Sequence, residues 1–216
     1  MKEERWYMIE KTKLFLKNSL ESGKYMQEHP HKLDYRYNHS LRVAHYGKII
    51  AENEGLDVDG LVIGCLLHDL SYMEDIDSFE KHINHGRRSA ELAEDFVASL
   101  DLSSNTKKDL LYGIAIHVDR KADFEWRDSL LAKSISDCDN IDRFDIYRLH
   151  ENLEWDEFSA LTYNKQMVYI EKRLSKLAEL AKKELSSKTA TKLFREKIEI
   201  NRDFFLLLQK QLERKV

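Results

Sequence analysis

The sequence is poor in the residues that make turns. Its 216 residues include one proline and seven glycines, where average usage gives roughly 11 and 15. Collagen-like and low-complexity classes are excluded, and so is an architecture of many short strands, which needs a turn every 8 to 12 residues or so. Cysteine is also scarce: Cys65 and Cys138 stand in apolar or helical contexts with no CxxC partner, so a disulfide-stapled scaffold is excluded and reduced core thiols are expected. No run approaches about 18 uninterrupted apolar residues, and the charged start Met1-Lys2-Glu3-Glu4-Arg5 has no apolar stretch behind it. A membrane span and an export signal are therefore not expected, and a cytoplasmic protein is. Excess charge of one sign is missing too: 34% of residues are charged, yet the formal net charge is -4. That balance predicts solvated helix faces and argues against a duplex nucleic-acid footprint or a membrane surface.

What remains is an all-α chain with 42% apolar residues, enough for a sizeable core. Residues 3–20 read as an opening amphipathic helix through Trp6, Ile9, Leu16 and Leu20, ended by Gly23. Asp34 is expected to open a second helix that runs to about Asn53, closed by Gly55, and Asp59 to cap the third. That third helix, Leu61 to Leu70, is apolar almost all round and so is expected to be buried on all sides. A polar loop over 71–82 leads to a fourth helix from about Asn84 to Leu100. Ser103-Ser104-Asn105 caps a fifth, ending near His117, and residues 118–127 connect to a sixth over about 128–150. From Phe158 to Val216 two long helices, broken near Ser186-Ser187, read as a hairpin with Leu174, Leu177, Leu180, Phe194, Ile198, Phe204 and Leu208 as apolar points. The expected organisation is one helical domain, with this hairpin packed on it and a face available for a homodimer.

His68-Asp69 is the feature that demands explanation, because aspartate is rarely buried unless paired or metal-bound, yet here it ends the most apolar helix. The plain alternative is a helix C-terminus with a favourable His and a solvated Asp, so partners must decide. His39 shares a face with Val43, Tyr46 and Ile50; His85 with Leu92 and Phe96; His117 with Leu110 and Ile114. Asp139 follows Leu131 and Ile135 by eight and four residues and points inward, whereas Asp137 projects to a different face. A single inward histidine is usually a hydrogen-bonded core residue. Five helices each sending His or Asp inward point to a metal.

In that order these residues resemble the HD-domain superfamily of metal-dependent phosphohydrolases, over about residues 33–150. Tyr37-Asn38-His39-Ser40-Leu41-Arg42-Val43-Ala44 is similar to its first motif and Leu66-Leu67-His68-Asp69-Leu70 to its namesake. His85-Gly86-Arg87-Arg88-Ser89-Ala90 is similar to the third-motif helix of two-metal members, and Cys138-Asp139-Asn140-Ile141-Asp142 to the last motif. The resemblance implies an HD-type helical bundle in which His39, His68, Asp69 and Asp139 hold a first metal, while His85 and His117 add a second bridged by Asp69.

Imidazole and carboxylate without thiolate suit iron, manganese, cobalt, nickel or zinc. Such ions bring the pKa of a coordinated water toward neutrality, and a pair of them stabilises charge on a phosphoryl group. Hydrolysis of a small phosphorylated metabolite of the nucleotide kind is the reaction expected. His68 and Asp69 are its centre, with Arg42 and Arg88, each three residues past a ligand histidine, as cations that can flank a phosphate; Arg143, four past Asp139, is a further candidate. Two features depart from the two-metal pattern: Tyr72 stands where a lysine often follows the central Asp by three, and Val118 follows His117 where some members have a second His. Glu74 and Asp75 are candidate proton donors, though an acidic loop is more often simply solvated. His29, His31, His45, His82 and His150 match no motif. Two other functions fit the same residues: a di-iron oxygenase, and a non-catalytic metal- or nucleotide-binding regulator.

Overall fold

In the computed structural model the backbone is described for residues 2–213 and the side chains for residues 7–213. Among the described residues there is no β-strand. Ten α-helices follow one another: α1 Lys2–Ser22, α2 Lys24–Glu28, α3 Pro30–Glu54, α4 Val58–Leu67, α5 Phe79–Ala98, α6 Ser104–Ile116, α7 Leu130–Asp142, α8 Ile146–Trp155, α9 Tyr163–Leu180 and α10 Lys188–Leu212. Two 3-10 turns, Leu70–Met73 and Phe158–Ala160, interrupt the series. No described helix is long and apolar enough to cross a membrane. The chain divides into two compact units, Met1–Asp139 and Asn140–Val216.

The first unit is built around α4. Leu61, Ile63, Cys65, Leu66 and Leu67 are completely buried, as expected for a helix with no polar face, and α1, α3 and α6 pack against it. Leu16 and Leu20 of α1 join this core, while the Trp6 side chain lies outside the described residues. The cysteines are free and buried.

Several starts and stops differ from the sequence expectation. Helix α3 begins at Pro30 rather than Asp34, because proline at the first helical position has its φ preset and needs no hydrogen-bond acceptor. The cap of α4 is Asp57, whose carboxylate accepts from the Gly60 N–H, and Asp59 is buried in the first turn. Ser78 caps α5 five residues earlier than expected. Ser103 caps α6 as its sequence indicates. The expected sixth helix is two: α7 ends at Asp142, and Asp145 caps α8 by accepting from the Ile146 N–H.

The second unit holds α8, α9 and α10. Ser187 caps α10, at the break the sequence marks. The buried stripe of α10 is Phe194, Ile198, Asn201 and Phe205, so Phe205 rather than Phe204 faces inward. Asn201 takes a core position because its amide donates to the carbonyls of Phe144 (2.6 Å) and Lys197 (2.9 Å), which satisfies a buried polar group.

Candidate metal centre

Six side chains expected from the sequence, His39, His68, Asp69, His85, His117 and Asp139, are all nearly inaccessible and converge inside the first unit. Helix α3 supplies His39, the end of α4 supplies His68 and Asp69, α5 supplies His85, the end of α6 His117, and α7 Asp139. His39 Nε2 lies 3.5 Å from Asp69 Oδ2 and 3.4 Å from Asp139 Oδ1. His68 Nε2 lies 3.6 Å from Asp69 Oδ1 and 4.0 Å from Asp139 Oδ1. On the other side, His85 Nε2 and His117 Nε2 lie 3.2 and 3.7 Å from Asp69 Oδ1. Asp69 thus belongs to two groups of potential ligands, one with His39 and His68 and one with His85 and His117.

The outer hydrogen bonds decide which ring nitrogens face the centre. Nδ1 of His68 contacts the Cys65 carbonyl at 2.8 Å, Nδ1 of His85 that of His82 at 2.6 Å, and Nδ1 of His117 that of Ile114 at 2.7 Å. A carbonyl only accepts, so each Nδ1 carries a proton and donates it, which leaves each Nε2 of a neutral ring with a lone pair aimed inward. The consequence is an electrostatic conflict. His68 Nε2 is buried with no hydrogen-bond partner, and the Nε2 atoms of His85 and His117 face each other at 3.0 Å. Lone pairs converging on a buried carboxylate are satisfied by a cation, so the residues present fit metal ligation.

Titration follows the same logic. Burial drives His68 down to about 4, against the pull of Asp69. Burial also opposes charge on Asp69, but His68, His117, His85 and Arg36 outweigh it and hold the carboxyl well below its usual range. Burial is the largest influence on His85 and opposes its proton, but the hydrogen bond and charge of Asp69 together with the His82 carbonyl outweigh it, so the net shift is upward.

Packing brings the two histidine helices together. A Cβ on Gly86 would stand 2.8 Å from the Ala115 carbonyl oxygen, 2.9 Å from that of Ile114 and 3.0 Å from His117 Nδ1; only glycine lets α5 approach α6 this closely beside His85. The buried face of α5 is accordingly Ser89, Ala90, Ala93 and Val97, with Leu92 and Phe96 half-buried beside it. Two serines tie the Leu70–Met73 turn to α5: Ser71 Oγ donates to the His85 carbonyl and the Ser71 N–H to Ser89 Oγ, both at 3.0 Å. Ser136 of α7 donates to the His117 carbonyl at 3.1 Å.

The remaining candidates are placed differently. Arg88 forms a fork with Glu74 (Nη2 to Oε1 2.6 Å) and an ion pair with Glu91 at 2.7 Å. Arg42 is half-buried on α3, Arg143 is exposed, and Asp75 is exposed. Asp137 does lie on another face of α7, but that face is buried as well, as is Asp142. His31, His45, His82 and His150 are exposed and His29 half-buried. Arg36 was not singled out by the sequence reasoning: its Nη1 donates to Asp69 Oδ2 at 2.8 Å, and its guanidinium carbon lies 3.3 Å from the centre of the Tyr72 ring. The signal was present, because Arg36 precedes His39 by three and shares its helix face as surely as Arg42 does.

A helical bundle whose α3 to α7 segments carry a His/Asp centre with a shared aspartate defines a class of metal-site protein. The HD domain family matches residues 36–143, half of the chain, and the chain belongs to that family. Its fold is similar to the crystal structure of a predicted HD superfamily hydrolase from an uncultured Thermotogales bacterium, with a TM-score of 0.61 and 16% identity over 91% of this chain and 90% of that one. None of the curated proteins matches the chain.

Proposed function

We propose that the protein is a metal-dependent phosphohydrolase that cleaves a phosphate ester of a small nucleotide or related metabolite. The observation that carries this reading is the set of inward Nε2 lone pairs around the buried, shared Asp69. His39, His68, Asp69 and Asp139 would hold one divalent ion, and Asp69, His85 and His117 a second. Ions bound there supply Lewis acidity toward a phosphoryl oxygen and lower the pKa of water toward neutrality. The chain's own residues do the rest. The Nδ1–H bonds to carbonyls fix the ring orientations, and the burial of the ligands excludes competing water. Charge favours an anionic substrate: Asp69 and Asp139 count −2 and Arg36 +1, a sum of −1 that a single divalent cation turns positive. The absence of thiolate ligands supports iron, manganese, cobalt, nickel or zinc.

The test is elemental analysis of the native protein together with a phosphate-release screen over mononucleotides, dinucleotides and simple phosphodiesters. One or two ions per chain and release from a nucleotide are expected, with the ion of the His39/His68 group and the phosphate release lost in His68→Ala. Substrate-dependent oxygen uptake by iron-loaded protein, without phosphate release, would favour the oxygenase reading. Metal without turnover on the whole panel would favour a binding protein.

A further inference from the structure

We infer that Arg36 is the residue that binds the phosphoryl oxygens of the substrate at this centre, an inference that rests on the phosphohydrolase reading and extends it to a named contact. Five arginines stand within three residues of a ligand histidine: Arg36 and Arg42 on either side of His39, Arg87 and Arg88 after His85, and Arg120 after His117; Arg87 donates to Asp119 and Asn84. Arg88 spends its donors on Glu74 and Glu91. Arg36 bonds to the shared carboxylate itself, through Asp69 Oδ2 at 2.8 Å. Its side chain is 24% exposed while that of Asp69 is 7% exposed, so Arg36 stands at the mouth of the centre, where a ligand can touch it.

The shape of the surroundings selects the ligand chemistry. The guanidinium is packed against the Tyr72 ring at 3.3 Å and lies 5.3 Å from that of Tyr35. Tyrosines on its faces hold the plane by cation–π attraction and leave its edge for recognition. That edge carries five N–H donors in a fork that matches two oxygens of a phosphate or carboxylate. Asp69 and the Tyr72 hydroxyl engage part of that fork, and the remaining donors are what an oxyanion would meet. A cation held by Asp69 would compete with Arg36 for the lone pairs of the same carboxylate and so leave the guanidinium more of its donors for an incoming anion. Because the Tyr72 ring packs against this guanidinium, a lysine substituted at position 72 would bring a cation into the neighbourhood of Arg36.

Inorganic phosphate is the probe. It is titrated calorimetrically into metal-loaded wild type, Arg36→Ala, Arg36→Lys and the double variant Arg36→Ala/Tyr72→Lys, with metal content measured on each sample. Arg36→Ala is expected to keep its metal and to bind phosphate about 10- to 100-fold more weakly, as befits the loss of charged hydrogen bonds. Arg36→Lys should fall between the two, and the double variant should recover part of the loss. On any substrate found by the screen, Arg36→Ala should raise KM. Phosphate affinity within about twofold of wild type in metal-replete Arg36→Ala overturns the proposal. If Arg36→Ala loses its metal, the decision passes to Arg36→Lys, which keeps a cation beside Asp69 but not the fork: unchanged phosphate affinity there makes Arg36 a positioning residue for Asp69 and likewise overturns it. Wild type that holds metal yet binds no phosphate refutes it directly. Wild type that binds phosphate through Arg36 but turns over nothing leaves the inference standing and removes the hydrolase reading instead.

Discussion

The two sides of Asp69 are built on different principles. On the side of His39, His68 and Asp139 a second carboxylate is present, and the donors stand 3.4 to 4.0 Å from their carboxylate partners. On the side of His85 and His117 there is no second carboxylate in the group; the imidazoles are pressed to 3.0 Å by a glycine contact between helices. The first side is organised by charge and the second by close packing. Binding of cations should therefore fail on the first side when charge is removed and on the second when shape is changed. Asp69 belongs to both, so Asp69→Asn is the most damaging single substitution. Outer partners of metal ligands are worth about 10- to 100-fold in affinity or activity, and a shared ligand should exceed the upper figure. Elemental analysis should find no stoichiometric metal in Asp69→Asn; retention of one ion would show that the sides do not share it.

Substitutions confined to one side separate them. His68→Ala or Asp139→Ala should release the ion of the first side, and His85→Ala that of the second. Gly86→Ala alters no ligand but places a methyl 2.8 Å from a backbone oxygen, so α5 must shift away from α6. Overpacking of this kind costs about 1 to 3 kcal/mol. Gly86→Ala should weaken the second ion about tenfold or more by the same linkage while the first stays at full occupancy. Equal loss of both ions would show that the two sides respond as one.

How much of this was visible in the sequence depends on the physical rule each residue obeys. His39, His68, His117 and Asp139 are legible because inward placement follows from helical periodicity, and α4 because a helix without a polar face must be buried. For His85 the periodic neighbours were misplaced: Leu92 and Phe96 are only half-buried, since the α5–α6 contact needs small residues rather than large ones. The start of α3 was missed because Asp34 resembles a helix opener while the helix begins four residues earlier at Pro30, and the break between α7 and α8 because no glycine or proline marks it. Asp137 and Asp142 are buried acidic side chains that no periodic pattern announces. Arg36 and the Ser71–Ser89 link depend on which helices meet, and that information belongs to the tertiary fold.

The smallest expected effect concerns protons in the metal-free protein, and it has opposite signs on the two sides. His68 is held down to about 4 when folded, against a usual 6.5. Between those values the unfolded chain binds a proton that the folded one refuses, so stability falls as pH drops from about 6.5 to about 4. His85 is raised: its contribution is complete below about 6.5 and is lost as pH climbs through its folded value. Above about pH 6.5, then, deprotonation of His85 lowers stability, whereas acid acts through His68. The two windows adjoin rather than overlap, so these two groups leave stability highest near pH 6.5, about the ordinary histidine value. Urea unfolding of chelator-treated protein at a series of pH values should show His68→Gln flattening the acid limb and His85→Gln flattening the alkaline one. If both substitutions flatten the same limb, the division of the centre into two sides is wrong.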